Sequence, residues 1–283
     1  MRHPIFYLVI AVFLIVPASA PAEDLEIVNR PVNASGLTGL LITTAPYTLA
    51  PGDIEVGAAV LSESSVEPDF TLTEYPLSVT VGLKRNSELA LRASYINLKQ
   101  GPTGTAVYDR IAGDLELAYK WNFLPQAEYS MRPAVSLILG ARVPTGNNTD
   151  AQIDVVNHLG VLLGLSAGTE IRWRDHILGL HGDARLIGRD PAEERLRDIY
   201  RMANAGIAFP ISKNRNLQIL LEYTLVQGRD RIYVDGGDYS ALTYGFRLVS
   251  ERFNLTVGTQ FLRKKLEEFD NSGKVTGLMS MKF

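Results

Sequence analysis

Beyond residue 52 the chain places apolar residues at every second position, in about twelve separate runs. A period of two is the signature of a strand whose two faces meet different surroundings. Ile54, Val56, Ala58 and Val60 stand against Glu55, Gly57 and Ala59, and Leu77, Val79, Val81 and Leu83 against Ser78, Thr80 and Gly82. The same pattern recurs through Leu217, Ile219, Leu221, Tyr223 and Leu225, and ends in Val275, Gly277, Met279, Met281 and Phe283. The apolar flank of these runs holds no Asp, Glu, Lys or Arg, although charged residues make up 21% of the chain. The opposite flank carries Glu55, Arg92, Asp114, Glu116, Lys120, Arg132, Arg142, Asp183, Arg185, Glu222 and Arg247. A soluble sandwich also alternates, but its outer flank would carry more Lys, Glu and Thr and less glycine and alanine. A charge on a lipid-facing strand costs about 2–4 kcal/mol near the bilayer midplane, which clears one flank in this way. The pattern predicts an all-β fold: a single antiparallel transmembrane β-barrel of about twelve strands.

The connections alternate in length. Lys84–Ser87, Arg172–Asp175, Ser212–Arg215 and Glu251–Phe253 are short polar turns, whereas residues 63–74, 99–110, 144–154, 188–198, 227–238 and 263–274 are longer. Asn122–Ser130 is longer than its class. Short turns facing the periplasm and long loops facing outward are the arrangement of outer-membrane barrels. Residues 53–283 then form one domain, with about 19 residues for each strand and its connection. Trp121, Phe123, Trp173, Phe209, Phe253 and Phe283 fall at the expected periplasmic strand ends, and Tyr75, Tyr108, Tyr200 and Tyr239 at the outer ends, as aromatic girdles would.

Residues 1–22 read as a signal peptide. Arg2 and His3 precede an apolar run from Ile5 to Val16, and Ala20-Pro21-Ala22 supplies an A-x-A cleavage box, with Ala20 as a competing site. The alternative is an uncleaved anchor. No later stretch reaches ~18 uninterrupted apolar residues, so no membrane helix is expected after it. The absence of cysteine excludes disulfides, thiolate metal sites and lipid attachment through a cysteine. A net charge of −3 gives no support to nucleic-acid binding.

The C-terminal stretch Val275–Phe283 resembles the assembly signal of Gram-negative outer-membrane barrels. Phe283 supplies the terminal aromatic, Met281 the apolar residue two earlier and Gly277 the glycine six earlier; Met279 stands where an aromatic is usual. The resemblance implies recognition by the barrel-assembly machinery. Gly36–Asp53 resembles the N-terminal entry of several poorly characterised outer-membrane proteins and implies no activity. Residues 23–52 form a separate N-terminal segment, with three placements open for residues 23–50: a lumen plug, a periplasmic tail or an extra strand.

The expected lumen-lining charges are Arg92, Asp114, Glu116, Arg132, Arg142, Asp183, Arg185, Glu222 and Arg247. Either the arginines form an anion-favouring constriction, or they pair with the acids in a closed interior. Ser166, His181 and Asp183 are the one nucleophile–base–acid set, if 166 and 181 face each other across a hairpin. Arg229–Asp238 has acids and glycines without the spacing of a calcium loop, and Asn147-Asn148-Thr149 is a polar loop. No metal site, cofactor or enzymatic activity is expected. The leading function is a narrow passive channel for small polar solutes, with outer-membrane lipid and the assembly machinery as the other partners. The alternatives are a structural or surface-assembly barrel with a closed lumen and, third, an outer-membrane hydrolase.

Overall fold

The structure, a computed structural model, describes residues 30–65, 70–84, 86–100, 105–126, 131–146, 159–173, 176–189, 199–211, 216–228, 238–264 and 272–283. The expected signal peptide, Asn147-Asn148-Thr149 and all of the Arg229–Asp238 loop but its last residue lie outside them. The strands are β1 (Ile54–Ser65), β2 (Phe70–Lys84), β3 (Ser87–Gln100), β4 (Thr105–Ala112), β5 (Leu115–Leu124), β6 (Ala134–Val143) and β7 (Gly160–Trp173). They continue with β8 (His176–Arg189), β9 (Ile199–Pro210), β10 (Leu217–Gln227), β11 (Tyr239–Val249), β12 (Phe253–Lys264) and β13 (Ser272–Lys282).

All thirteen belong to one sheet, each pairing antiparallel with its neighbours. The sheet closes because β1 pairs with β2 on one side and with β13 on the other, and backbone bonds between Ile54 and Phe283 seal the seam. Closure pairs each strand of the ring on both sides, as a membrane requires because lipid offers no hydrogen-bond partner; β4 alone among the described strands pairs on one side only, with β3. The ring itself has twelve strands, since β4 and β5 share one partner. β5 pairs with the inner half of β3, from Ser87↔Trp121 to Arg92↔Glu116. β4 pairs with the outer half, from Tyr95↔Ala112 to Gln100↔Thr105. Gly113 and Asp114 separate them, and β4 lies mostly within residues 99–110, which the sequence pattern reads as a long connection. The Asp114 carboxylate accepts the N–H of Thr145 at 3.1 Å and of Gly146 at 2.9 Å.

The alternation sorts as the sequence predicts. Val56, Leu77, Leu91, Leu163, Leu221, Phe246 and Val257 are exposed on the outside of the ring. Glu55, Thr80, Lys120, Asp183, Glu222, Thr243 and Thr256 are buried inside it. An apolar exterior around a polar interior inverts the arrangement of a soluble protein and is the surface of a transmembrane barrel. Tyr200 and Tyr239 do not join the outer girdle. They lie an even number of positions from Asn204 and Thr243, which are buried in the interior, so each falls on the lumen flank. Arg132 is likewise outside the lumen set: β6 begins two residues later at Ala134, leaving Arg132 exposed in the preceding connection.

Candidate functional site: a lumen filled by its own N-terminal segment

Residues 30–50 run through the interior, entering and leaving at the short-turn end, and the barrel wall holds them mainly by their backbone. Glu222 on β10 accepts the consecutive N–H groups of Leu41, Ile42 and Thr43 at 3.0, 3.1 and 2.6 Å. Asp183 on β8 accepts the N–H of Thr44 at 2.8 Å. Glu88 on β3 accepts the N–H groups of Thr38 and Leu49, both at 2.9 Å, and Glu55 on β1 accepts that of Val32 at 3.2 Å. The cations answer the carbonyls. Lys120 Nζ donates to Thr38 and Ala45 at 3.1 and 3.0 Å, and Arg92 Nε donates to Ala34 at 3.2 Å. A segment of small and apolar residues can occupy a polar lumen because its backbone groups, which must find partners once buried, find them in the wall charges.

Its apolar side chains have their own sockets. Leu40 and Leu41 pack with Ala59, Ala208, Leu220 and Leu278, and Leu37 packs with Ala90 and Ile138. Lumen-facing glycines make the room. A Cβ at Gly206 would stand 2.5 Å from Leu40, and one at Gly258 2.5 Å from Leu41. At Gly82 it would stand 2.0 Å from the Ala50 carbonyl oxygen. Gly36 adopts φ +85° at the segment's first turn, a conformation that side chains resist.

The wall charges are also paired among themselves. Lys120 and Glu88, both fully buried, lie 2.8 Å apart. Arg185 lies 2.7 Å from Asp183, which also accepts from Asn204. Above the segment, Glu116 bridges Arg92 at 3.0 Å and Arg142 at 2.7 Å, and Arg92 also reaches Glu74. These four, with Tyr200 and Lys274, border a cavity of about 280 Å³ on the long-loop side. On the short-turn side is a chamber of about 60 Å³ bordered by Arg30, Tyr47, Glu170, His181, Gln218 and Arg247. Arg30 pairs with Glu170 at 2.9 Å and lies 4.0 Å over the Tyr47 ring. Burial pushes the Tyr47 phenol well above the usual tyrosine range, so it stays a protonated donor to Gln126.

Of the expected lumen charges, Arg92, Glu116, Arg142, Asp183, Arg185, Glu222 and Arg247 therefore stand inside the ring, while Asp114 is bonded to the connection after β6 and Arg132 is exposed in the connection before it. The proposed catalytic trio does not assemble. The β7–β8 turn pairs Trp173 with His176, which sets Ser166 opposite Asp183 and Gly168 opposite His181. Asp183 is occupied by Arg185, Asn204 and the Thr44 N–H, and His181 lies edge-on to Tyr47 with ring centroids 5.9 Å apart. Neither Ser166 Oγ nor His181 Nδ1 has a hydrogen-bond partner among the described residues. Glu88 is the anchor that sequence reasoning missed. It lies two positions before Ala90 on the polar flank of β3, so extending that run by one step would have found it.

No known family model matches the sequence, and no curated protein resembles it at a significant level. In fold the chain is similar to the COG4313 outer membrane channel from Pseudomonas putida F1, with TM-score 0.60 and 13% identity over 84% of this chain and 98% of that one. It is also similar to the KdgM porin solved in complex with disordered oligogalacturonate, with TM-score 0.53 and 7% identity over 81% of this chain and 99% of that one. LpxR from Salmonella typhimurium gives TM-score 0.51 and 11% identity over 81% and 99%. At these identities the likeness is one of fold. With the apolar exterior, it makes the chain an outer-membrane β-barrel.

Proposed function

We propose that the protein is a narrow passive channel for small polar solutes, sorting them by size through a lumen that its N-terminal segment constricts. The observation that carries this reading is the charged cavity of about 280 Å³ on the long-loop side, bordered by Arg92, Glu116, Arg142 and Tyr200. A barrel built only as a scaffold has no need of a cavity edged by charged pairs there, and charged rings are what discriminate solutes in pores. The fold is shared with a protein described as an outer membrane channel and with one described as a porin, which supports the same reading. Residues 30–50 act as the plug in this proposal. Assembly would proceed through recognition of Gly277, Met281 and Phe283 by the barrel-assembly machinery.

Planar-bilayer recording tests the function. The mature protein is expected to give small, discrete conductance steps, and a variant lacking residues 30–50 larger ones. Silence from both, with folded protein confirmed by heat-dependent gel mobility, would overturn the channel. The second reading, a closed structural barrel, draws on the complete burial of Leu37 and Leu41 in the lumen. It predicts silence from the intact chain and current from the deletion variant. Ser166 and His181 do not face one another, so that set lends the hydrolase reading no support.

A further inference from the structure

Arg247 stands apart from the other interior cations. Lys120 has Glu88, Arg185 has Asp183, and Arg92 and Arg142 share Glu116. Arg247 is only 3% exposed. Its Nε donates to a neutral hydroxyl, Thr256 Oγ1, at 3.1 Å, and its Nη2 has no hydrogen-bond partner among the described residues. Of the carboxylates that act on it from farther off, Glu222 is committed to the plug backbone, and Glu55 accepts from Val32, Ser280 and Asn254 through Oε1, its Oε2 having no hydrogen-bond partner among the described residues. Neither forms an ion pair with it. A buried cation needs a counter-charge, and none of the described residues supplies one at contact distance.

The guanidinium borders the short-turn chamber. Gln218, directly opposite Arg247 in the β10–β11 register, brings an amide donor to the same wall. The acid on that wall, Glu170, is neutralised by Arg30, which leaves the chamber with the net positive charge of Arg247. Its volume of about 60 Å³ compares with the roughly 10–15 Å³ that one water needs on a similar measure. That is room for a compact anion and a few waters.

We propose that Arg247 anchors a binding site for one small monoanion, of halide or carboxylate type, in the periplasmic chamber of the lumen, with the Gln218 amide as a second donor. The site deepens the channel reading by naming the class of solute that the lumen favours, and its occupant supplies the missing counter-charge of Arg247. Binding to the folded barrel raises its thermal stability by mass action.

The test uses the detergent-solubilised mature protein with sodium bromide and sodium formate as probes, and sodium gluconate at equal ionic strength as a bulky control. A saturable rise in unfolding midpoint is expected with bromide and formate and not with gluconate. Arg247→Gln is expected to weaken the apparent affinity at least tenfold, and Arg247→Lys to keep part of it. Crystals soaked in sodium bromide are expected to show an anomalous peak beside Arg247. The absence of a saturable shift, a shift unchanged in Arg247→Gln, or a wild-type bromide peak only elsewhere would each overturn the proposal. If Arg247→Gln fails to fold, the wild-type bromide position decides alone. Bromide bound at Arg247 without bilayer current would keep the site and remove the channel; current without bound bromide would do the reverse.

Discussion

Glu222 shows how much of the interior hangs on single side chains. One carboxylate takes three consecutive backbone N–H groups, and its loss leaves them buried at about 1–3 kcal/mol for each donor left unsatisfied. Because the chain has no cysteine, a single introduced thiol reports on plug release without background. Thr43 suits the purpose: it is fully buried and its own N–H is one of the three that Glu222 holds. In a Thr43→Cys background, Glu222→Ala is expected to raise the thiol labelling rate at least tenfold; equal rates would show that the carboxylate does not hold the plug. On the outer flank, Leu221 is 39% exposed near the middle of β10. Leu221→Arg is expected to destabilise the barrel in lipid by about 2–4 kcal/mol, measured by denaturant unfolding in vesicles. A neutral outcome would argue that this flank does not meet lipid.

At the scale of elements, the wall and the plug fit each other through glycines, and the kind of atom each glycine faces ranks the cost of filling it. At Gly206 an added methyl meets side chains, first the end of Leu40, which can turn aside, whereas at Gly258 it also stands 2.9 Å from the Tyr244 carbonyl oxygen. At Gly82 it meets the Ala50 carbonyl, which can move only if the whole exit of the plug moves. Gly82→Ala is therefore expected to destabilise by about 1–3 kcal/mol and Gly206→Ala by less, read from thermal unfolding in detergent. The last strand gives the opposite case. A Cβ at Gly277 meets nothing within 4 Å, so packing does not require glycine there. Gly277→Ala is expected to refold in detergent with unchanged stability. If its yield in the membrane nonetheless falls, the glycine is read during assembly; an equal yield would remove it from the signal.

For the molecule as a whole, a belt of exposed leucine, valine and aromatic residues surrounds a charged interior, and no aqueous state satisfies both. The mature protein is expected to need detergent or lipid to stay dispersed. A monodisperse solution without either would contradict the membrane reading outright. The barrel was legible in the sequence because lipid acts on each outward residue separately. A charge that faces oil is costly on any strand, most of all near the midplane, so every strand records the constraint in its own alternation. The lumen was legible only in part. Arg92, Glu116, Asp183 and Glu222 could be assigned to the inner flank by parity alone, but which acid meets which base depends on register and curvature across strands far apart in the chain. Ser166 and His181 failed as a pair for that reason: shifting the hairpin centre by a single position sets Asp183 opposite Ser166. Tyr200 sits at a strand end, as a girdle residue would, but its parity with Asn204 turns it to the lumen.

The sequence by itself determined that the chain is a closed barrel with an apolar exterior and polar interior, and which face each strand turns to the lipid, since these follow from a local period and a uniform solvent. Only the tertiary structure decided what fills the lumen. Residues 30–50 are held by backbone groups that every sequence possesses, and the carboxylates that hold them come from β1, β3, β8 and β10. No local pattern records a convergence of that kind, because its partners become neighbours only once the ring has closed.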